Sequence, residues 1–400
     1  MNLLYLSSFL PKRSETFVYR EVLGLRARGH KVAIASLYQP DPALGDPALD
    51  ELAAGAIVVY SGMRPLLRDA LAFLASSPAR GAAVLACAFG DALSADDLKS
   101  AARPKVLVQA LAGLALARRA GGTGCRKLHV HMAHAAATVG MYAARALGIP
   151  FSFTGHAADL FRERCLLRKK LDRASFVACI SEWHREWYRS IIHRPDADYP
   201  IMRCGVDVPE TPFPVRDSGP LRILGLGRLV PKKGFDVLIR ACAALHAAGL
   251  PVELTIAGDG PELAALQSLV GSLPCRFAGA VANRDVPALL AAADVFALPC
   301  RISPDGDRDG IPVVLMEAMA HGVCVVSGDL PTIRELVRDR VSGLMVPPGG
   351  VAPLDAALRE LASDPALRAR LAEGGRARVR EEFSSQTNLA RIESAFRNQP

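Results

Sequence analysis

The stretch from Asp305 to Gly322, DGDRDGIPVVLMEAMAHG, is the part of the chain on which the expected fold and chemistry depend most. Its first half is a turn-rich acidic loop, and from Pro312 onward it has the composition of a helix. Proline is well tolerated in the first turn of a helix, because the N–H that it lacks would have no intrahelical partner there. The pattern therefore predicts a helix N-terminus whose N–H groups can bind an anion, those of Gly310, Ile311 and Val313.

Two carboxylates flank this predicted helix N-terminus. Glu317 lies one turn further along, within reach of a hydroxyl group on a molecule bound there, and Asp309 stands eight residues before it on the loop side. An anion site between hydroxyl-binding carboxylates suits a sugar nucleotide, which carries both a diphosphate and hydroxyl groups. An ordinary strand–loop–helix unit with an acidic surface loop would show the same pattern.

A second candidate site is the segment from Gly225 to Gly234, GLGRLVPKKG. It lacks the third glycine of a dinucleotide-binding fingerprint, since Leu229 and Val230 occupy that turn. Two cations take its place. Arg228 and Lys233 are five residues apart across a proline turn, which suits a diphosphate held by charge as well as by backbone N–H groups. A basic surface turn is the alternative.

The first half of the chain offers candidate sites at two strand ends. Residues 3–8 read as a buried strand followed by a loop and a helix, which is how a doubly wound α/β domain begins. Lys12 and Arg13 in that loop are candidates for an acidic acceptor, because such sheets bind ligands at the carboxyl ends of their strands. A solvated basic loop fits as well. His156 ends another buried strand, where it can hydrogen-bond a sugar hydroxyl or cap the turn.

Three further histidines, His129, His131 and His134, raise the question of a metal site. Alternate residues of a strand point to one face, so two of the three can converge. However, the sequence places no Cys, Asp or Glu nearby and shows no zinc-ligand spacing. We therefore predict no metal site.

Length and composition indicate a globular chain of two domains. Four hundred residues, half of them apolar, exceed the size at which one hydrophobic core keeps growing. The proline-rich residues 208–220 predict a linker. The nine cysteines form no C-x-x-C pair, which indicates reduced thiols. The N-terminal residues have the pattern of a first strand and not that of a signal peptide. No apolar run reaches the roughly 18 residues of a membrane span.

Charge is divided unevenly along the chain. Residues 1–205 hold 27 lysines and arginines against 17 acids, a net charge of +10, whereas residues 206–400 hold 21 against 23, a net charge of −2. The basic first half suggests an anionic partner, which could be lipid headgroups, a phosphorylated acceptor or nucleic acid. Nucleic acid is the least favoured of the three, because the sequence contains no recognisable nucleic-acid-binding module. The basic helices expected between Pro65 and Ala120 suit an anionic bilayer surface, or simply the outer face of a soluble domain. A run of six cations within residues 162–173 suits a lipid diphosphate or a solvated helix face.

These motifs together resemble the family 4 glycosyltransferases over nearly the whole chain. Residues 309–322 are similar to the Glu-x7-Glu signature of that family, with Asp309 in place of the first glutamate. GRLVPKKG at 227–234 resembles the family's G-R-L-x-x-x-K-G, and TGHAADLF at 154–161 resembles T-x-H-[AD]-x-D-[IL]-F. Together with the SETF sequence at residues 14–17, these motifs are similar to those of the colanic-acid and exopolysaccharide branch of the family.

The resemblance implies the GT-B architecture, an α/β fold of two doubly wound Rossmann-like domains that face each other across a cleft. Residues 1–207 would bind the acceptor and residues 221–383 the nucleotide sugar, and a helix at 384–400 would cross back to the first domain. The implied catalytic residues are His156, Arg228, Lys233 and Asp309. The implied donor-binding residues are Gly227, Arg228, Lys233, Gly258, Gly260, Val281, Gly310, Ile311, Pro312, Val313 and Glu317. The acceptor would be bound by Lys12, Arg13 and Ser14.

The implied reaction transfers a hexose from a nucleotide-diphosphate sugar to a glycan acceptor carried on a polyprenyl diphosphate, in exopolysaccharide biosynthesis. The resemblance further implies retention of anomeric configuration, no metal or other cofactor, and a cytoplasmic protein in peripheral contact with an anionic membrane. Two alternatives fit the same motifs. One is a nucleotide-sugar epimerase of the same architecture. The other is a non-catalytic sugar-nucleotide-binding component of a polysaccharide assembly complex, in which Asp309 would mark lost activity.

Overall fold

The computed structural model describes residues 1–13, 15–41, 46–98, 100–156 and 165–398. Ser14 and Asp159 therefore lie outside the described residues, as do Arg162 and Arg164 of the basic run. The chain divides into two compact units, Met1–Arg203 with Asn388–Pro400, and Cys204–Thr387. Each unit holds one six-stranded sheet.

The first unit is built on a parallel sheet with the strand order β3-β2-β1-β4-β5-β6. Its strands are Asn2–Ser7 (β1), Lys31–Ser36 (β2), Ile57–Val58 (β3), Lys127–His131 (β4), Phe151–Thr154 (β5) and Val177–Ala178 (β6). β1 pairs with both β2 and β4, and its side chains from Leu3 to Ser7 are buried. A near-continuous apolar run of this kind is typical of a central parallel strand that is covered on both faces.

Helices of the first unit pack closely where their contact residues are small. The described helices are Thr16–Ala27 (α1), Pro47–Ala54 (α2), Met63–Ser76 (α3), Pro78–Ser94 (α4), Arg103–Ala120 (α5), Ala135–Leu147 (α6), Leu167–Arg173 (α7) and Glu182–Ile191 (α8). A Cβ at Gly113 of α5 would lie 2.8 Å from the Cβ of Tyr142 on α6, so the absence of a side chain there lets the two helices approach. The layer of α3, α4, α5 and α6 results from such contacts.

The second unit repeats this plan, with the strand order β12-β11-β10-β7-β8-β9. Its strands are Leu221–Leu226 (β7), Val252–Ala257 (β8), Cys275–Gly279 (β9), Val295–Leu298 (β10), Cys324–Gly328 (β11) and Leu344–Val346 (β12). Its described helices are Phe235–Ala247 (α9), Leu263–Ser268 (α10), Val286–Ala291 (α11), Val313–Ala320 (α12), Val351–Ser363 (α13) and Pro365–Arg378 (α14). The last helix, Ser385–Arg397 (α15), belongs mostly to the first unit. Ile392 and Phe396 of α15 are buried in the core of the first unit.

Both sheets are doubly wound, which confirms the fold class predicted from the sequence. In each, the first and fourth strands in chain order lie side by side at the centre, and the sheet grows outward from them in both directions. The point where the strand order reverses leaves a crevice at the carboxyl ends of these two central strands. The loops after β1 and β4, and those after β7 and β10, are therefore where ligand-binding residues are expected.

Two findings bear on the expectations from composition. All nine cysteines are free thiols, and Cys179, Cys242, Cys300 and Cys324 are buried. Among the residues that the structure describes, no helix combines the length and the hydropathy that crossing a bilayer would require.

Candidate functional site

In the second unit, the loops after β7 and β10 meet at the crevice of the sheet. Lys233, from the first loop, places its Nζ 2.9 Å from Oδ2 of Asp309, from the second. Each side chain is only 13% exposed, so the ion pair is largely removed from water. Two residues that the sequence analysis took from separate motifs are thus brought together in one site.

Three residues that the sequence analysis did not single out complete this cluster. Lys232 Nζ lies 3.2 Å from Asp307 Oδ1 and 3.5 Å from Asp309 Oδ1. The thiol of Cys300 donates to Asp309 Oδ2 at 3.3 Å. Lys232 directly precedes Lys233, and Asp307 lies two residues before Asp309. The paired lysines and the repeated aspartate are therefore the sequence signals that could have identified these two residues. Nothing in the sequence pointed to Cys300.

Electrostatics keep the Lys233–Asp309 pair charged. Burial alone would raise the pKa of the Asp309 carboxyl, but the ammonium groups of Lys233 and Lys232 outweigh burial and hold that pKa below its usual value. Burial alone would lower the pKa of Lys233, but the attraction of the Asp309 carboxylate is stronger than this effect. The pKa of Lys233 is therefore raised. Burial beside Asp309 also raises the pKa of the Cys300 thiol well above its usual value. The thiol therefore stays neutral and donates to the carboxylate.

Two glycines allow the close backbone approach on which this site is built. Gly234 follows Lys233 at a φ of +70°, and a Cβ there would lie 2.2 Å from the carbonyl oxygen of Pro299. Gly258 has a φ of +131°, and its Cβ would lie 1.9 Å from the carbonyl oxygen of Gly227. Other residues would be strained in conformation and would clash with backbone at both positions. The loops after β7, β8 and β10 are consequently held against one another backbone to backbone.

The helix N-terminus predicted from the sequence is present, and it follows Asp309 closely in the sequence. Helix α12 begins at Val313, Pro312 is its cap residue, and Gly310 and Ile311 just before it are buried. The first N–H groups of a helix have no intrahelical acceptor, so this end offers donors to an anion. Glu317 lies four residues after Val313, on the same face of α12, and is half-buried.

The remaining predicted donor residues follow the neighbouring strands. Arg228 is exposed in the loop after β7, beside Gly227. A Cβ at Gly260, in the loop after β8, would lie 2.4 Å from the carbonyl oxygen of Leu229, so these two loops are also in backbone contact. Val281 is half-buried just beyond the end of β9. These residues therefore lie at the carboxyl edge of the same sheet as Lys233, where doubly wound sheets bind ligands.

In the first unit, His156 is held in a chain of polar side chains. Its Nε2 lies 3.2 Å from Nδ1 of His131, whose Nε2 lies 3.3 Å from Oε1 of Glu21. The hydroxyl of Tyr5 donates to the same carboxylate oxygen at 2.7 Å. The ring of Phe17 packs on the imidazole of His156, with 4.4 Å between ring centroids. Side chains from β1, α1 and β4 thus fix the orientation of His156.

Burial, reinforced by the neighbouring His131 and His184, holds the pKa of His156 well below its usual value of 6.5. The imidazole is therefore neutral near pH 7. In this form it can donate or accept one hydrogen bond at a sugar hydroxyl without adding a positive charge.

The expectation that no acid lies near the histidines of β4 is wrong. Glu21 of α1 reaches them, and ligand atoms of Glu21, His129 and His131 all lie within 4.8 Å of one another. A carboxylate so distant in sequence gives no spacing signal. His129, however, has both ring nitrogens 2.9 Å from hydroxyl groups, those of Ser152 and Thr154, so its nitrogens are already engaged. The third histidine, His134, caps α6 by accepting the N–H of Ala135.

Two of the three predicted acceptor residues, Lys12 and Arg13, lie in the loop after β1, each with a partner from the chain. Lys12 Nζ lies 2.6 Å from Oε1 of Glu15 and 5.1 Å from the centroid of the Phe9 ring. The backbone N–H of Arg13 donates to the Asp41 carboxylate at 3.0 Å. Ser14 is outside the described residues.

Two cations of the basic run at 162–173 have structural roles, and for Lys170 the expectation that it faces a lipid diphosphate or solvent is wrong. Lys170 is fully buried, and its ammonium donates at 2.6–2.7 Å to three carbonyl oxygens, those of Ala133, His134 and Cys165. Arg173 forms a two-pronged ion pair with Asp91, at 2.6 and 2.7 Å. The sequence could not distinguish the buried Lys170 and the half-buried, ion-paired Arg173 from the exposed Arg168.

A cavity of about 960 Å³ opens in the first unit between α5, α6 and α7. Its lining includes two cations, Lys105 and Arg168, and two carboxylates, Asp96 and Asp97, together with His134 and Gln109. Asp97 is occupied, because its carboxylate accepts the N–H groups of Leu166 and Leu167 at the start of α7.

The fold of the whole chain resembles that of several solved structures. The structure matches that of HepE from Anabaena, solved with UDP and glucose, with a TM-score of 0.68 at 18% identity over 100% of both chains. It matches a sucrose-phosphate synthase from Thermosynechococcus elongatus with a TM-score of 0.72 at 17% identity, over 99% of this chain and 98% of that one. At such identities the likeness establishes the fold alone, which is that of the GT-B glycosyltransferases.

A comparison of sequences adds a match within the second unit. A family model described as "Glycosyl transferases group 1" matches residues 220–364. This range carries Arg228, Lys233, Asp309 and Glu317, so the cluster at the crevice of the second sheet lies within the matched residues.

The curated relatives of the chain are also named as glycosyltransferases. The amylovoran biosynthesis glycosyltransferase AmsK of Erwinia amylovora is 35% identical over 57% of this chain and 59% of its own. The putative colanic acid biosynthesis glycosyltransferase WcaL of Escherichia coli is 37% identical over 46% and 48%. A GDP-mannose-dependent mannosyltransferase acting on phosphatidylinositol monomannoside, from Mycolicibacterium smegmatis, is 32% identical over 57% and 64%. The chain thus spans about half to two thirds of these relatives.

Proposed function

We propose that this protein is a glycosyltransferase that moves a hexose from a nucleotide-diphosphate sugar to a glycan acceptor in exopolysaccharide biosynthesis. The observation that carries the proposal is the Lys233–Asp309 ion pair at the crevice of a sheet whose sequence matches the glycosyl transferases group 1 family. The relatives named for amylovoran and colanic acid biosynthesis support the pathway. Relatives and structural neighbours named with GDP-mannose or UDP support a nucleotide sugar as the donor.

On the donor side, the proposal assigns charge neutralisation to the loop after β7. Lys233 and Arg228 would bind the diphosphate and stabilise the negative charge that builds on it as the glycosidic bond breaks. The N–H groups at the start of α12 would add donors from a second direction. With this charge supplied by side chains and backbone, we propose that the reaction needs no metal ion.

The carboxylates would position the sugar and the ribose. Glu317, half-buried on the face of α12 that also carries Val313, would accept hydrogen bonds from ribose hydroxyls. Asp309 would orient the transferred hexose and, through its ion pair, keep Lys233 in place for the phosphate. His156, neutral and held by His131, would hydrogen-bond the hexose at the reacting carbon. Transfer would proceed with retention, as in the family 4 enzymes that the motifs resemble.

On the acceptor side, we propose a lipid-linked glycan, carried on a polyprenyl diphosphate and reached from the cytoplasmic face of an anionic membrane. Lys12 and Arg13 in the loop after β1 supply positive charge in the first unit. The net charge of +10 on residues 1–205 supports an anionic acceptor, an anionic membrane surface, or both.

The proposal is tested by ligand-induced stabilisation with a panel of UDP-, GDP- and ADP-sugars in the presence of a chelator. A donor at 100 times its dissociation constant should add about 2.7 kcal/mol to the stability of the protein. We expect one responding donor, and we expect Lys233→Met to abolish the response. The matched control is Arg284→Gln, which removes a cation whose side chain is 71% exposed in the same unit. A Lys233→Met variant that responds like the wild type would contradict the site.

Product analysis separates the transferase from its two alternatives. A transferase releases the nucleoside diphosphate only when an acceptor receives the sugar, or slowly through hydrolysis. An epimerase converts the sugar while it remains attached to the nucleotide, and a non-catalytic component binds the donor and leaves it unchanged.

A further inference from the structure

We infer that Glu21 and His131 are positioning residues, which hold the proton of the neutral His156 imidazole on Nε2 and so make its Nδ1 a hydrogen-bond acceptor. His156 would then meet the hexose as an acceptor, from a sugar hydroxyl that donates to it. The contact with the hexose rests on the proposed function, whereas the position of the proton is argued from the first unit alone.

The direction of this chain of hydrogen bonds is set at Glu21. Its Oε1 lies 2.7 Å from the Tyr5 hydroxyl and 3.3 Å from Nε2 of His131. Burial, reinforced by the Glu21 carboxylate, raises the pKa of Tyr5 well above its usual value, so Tyr5 keeps its proton and donates. An ionised carboxylate accepts hydrogen bonds and cannot donate them. His131 must therefore carry a proton on Nε2.

The proton on His131 decides where the proton of His156 lies. A neutral imidazole has one N–H group and one bare nitrogen, so Nδ1 of His131 is bare and accepts. Nε2 of His156 lies 3.2 Å from that Nδ1 and must be the donor. His156 is itself neutral near pH 7, because burial holds its pKa well below 6.5. Its single ring proton is therefore on Nε2, and any group that contacts Nδ1 must donate to it.

Ring packing keeps His156 in the orientation that this chain requires. The Phe17 ring lies on the imidazole, with 4.4 Å between ring centroids. The His131 ring lies nearly parallel to it, at 5.5 Å and an interplanar angle of 18°. A flip of the His156 ring would remove Nε2 from Nδ1 of His131 and would disturb both ring contacts. The two nitrogens of His156 therefore do not exchange their places.

The neighbouring His129 shows why the carboxylate matters. Its ring nitrogens lie 2.9 Å from the hydroxyl groups of Ser152 and Thr154. A hydroxyl group can donate or accept, so these partners favour neither position of the proton. The chain that ends on Glu21 has a direction because an ionised carboxylate accepts and cannot donate.

A bare Nδ1 restricts what His156 can do during transfer. It can accept a hydrogen bond from a hydroxyl group of the hexose, but it cannot donate from that atom to an oxygen of the leaving diphosphate. The proposed function assigns the charge of the diphosphate to Lys233 and Arg228, so a donor is not required of His156. A carboxylate that fixes the tautomer of a catalytic imidazole has a large effect on rate, because the wrong tautomer presents a donor where an acceptor is needed.

The first test needs no substrate. Nitrogen-15 labelling of the nine histidines and NMR at pH 8, where an ordinary imidazole is neutral, distinguish bare from protonated ring nitrogens. The signals of His156 are identified by their loss in His156→Asn. We expect a bare Nδ1 and a proton on Nε2 in the wild type. A proton on Nδ1, or an equal mixture of the two forms, would overturn the inference without any variant of the chain having to fold.

Glu21→Gln tests whether Glu21 positions the proton. A neutral amide can donate to His131 as well as accept from it, and it lacks the roughly twofold stronger hydrogen bond of a charged acceptor. We expect the form with a proton on Nδ1 to appear in this variant. The matched control is Tyr5→Phe, which removes the other hydrogen bond to the same oxygen and keeps the carboxylate. It should leave the proton on Nε2, and circular dichroism should show both variants folded. An unchanged tautomer in Glu21→Gln, or the same change in Tyr5→Phe, would contradict the positioning role.

Transfer kinetics test the consequence for the hexose, with the nucleotide sugar that stabilises the protein. The value of kcat/KM in Glu21→Gln should fall by the factor by which the form with a proton on Nε2 is depleted, since a fractionally populated form lowers the apparent affinity by that fraction. A larger loss, or none despite a changed tautomer, would show that the proton position does not govern the reaction.

Fluorinated donors test the polarity of the contact. Fluorine accepts a hydrogen bond weakly and cannot donate one. Replacing the contacted hydroxyl by fluorine should therefore reduce kcat/KM by about fivefold, as much as replacing it by hydrogen, and both losses should vanish in His156→Ala. Better tolerance of fluorine than of hydrogen would show that His156 donates, and would overturn the inference. A protein with the expected tautomer that transfers no sugar would contradict the proposed function and leave the proton position intact.

Discussion

Lys233 and Asp309 form a largely buried ion pair, with 2.9 Å between Nζ and Oδ2, that joins the loops after the two central strands of the second sheet. The pair lies where doubly wound sheets bind ligands. It therefore has a structural effect, holding two loops together, and a proposed chemical one, presenting a cation to the donor diphosphate.

Asp309→Asn should destabilise the second unit, because it leaves the Lys233 ammonium without its carboxylate in a poorly hydrated site. Removing one partner of a buried pair costs about 3 kcal/mol or more. Adding Lys233→Met should recover part of this cost, so the two changes should couple by about 1 kcal/mol or more. Both tryptophans, Trp183 and Trp187, lie in the first unit, so hydrogen exchange at β7 and β10 is the appropriate measurement. Strictly additive effects would show that the pair contributes no stability.

The same pair predicts how stability depends on pH. The pKa of Asp309 is depressed in the folded chain, so its contribution is fully present above the unfolded value of about 3.9. This stabilisation is lost as the pH falls from about 3.9 through the lower pKa that Asp309 has in the folded chain. The stability difference between the wild type and Asp309→Asn should therefore be constant from about pH 6 to 8 and shrink below about pH 4. A difference that disappears already near neutral pH would contradict a depressed pKa.

Glu317→Gln should reduce transfer by more than about tenfold while leaving the fold intact, since it removes a charged acceptor from the proposed ribose hydroxyls. Steady-state kinetics with the responding donor measure the loss, which should appear in kcat/KM. Glu373→Gln is the control, because Glu373 is an exposed acid on α14. Near-wild-type kinetics in Glu317→Gln would remove Glu317 from the site.

Two glycine substitutions separate backbone strain from steric clash. Gly249 has a φ of +80° with nothing within 4 Å of an added Cβ, so Gly249→Ala should cost about 1–2 kcal/mol from conformation alone. Gly234 has a similar φ of +70°, but its Cβ would lie 2.2 Å from the Pro299 carbonyl oxygen. Gly234→Ala should therefore cost clearly more and also weaken donor binding, as measured by thermal denaturation with and without the donor. Equal costs would mean that the loops after β7 and β10 are not held as closely as described.

His156 should stay neutral across the working pH range, because burial and its neighbours His131 and His184 depress its pKa well below 6.5. NMR of the imidazole nitrogens should show no titration of His156 between about pH 6 and 8, with free histidine in the same buffer as the reference. Glu21→Gln should change the shifts of His131 and, through it, those of His156, since the three are linked at 3.3 and 3.2 Å. A His156 that titrates near pH 6.5 would contradict the buried, neutral imidazole.

The sequence predicted the doubly wound fold because each motif is local: an apolar strand, a glycine turn and the start of a helix. Lys233 and Asp309 were both identified as site residues, but their pairing depends on which strands become neighbours, and β7 and β10 are far apart in sequence. Glu21 was missed for the same reason, since it reaches His131 only after α1 has packed on the sheet. Lys170 was misread because composition cannot distinguish a buried cation that satisfies carbonyl oxygens from a solvated one.

The central claim is best tested by supplying the responding sugar nucleotide, labelled in the sugar, together with membranes that carry lipid-linked acceptors. The account predicts that label moves into the lipid fraction as free nucleoside diphosphate accumulates, and that Lys233→Met stops both. Label that stays on the nucleotide, unchanged or as an epimer, would contradict the assignment of this protein as a glycosyltransferase.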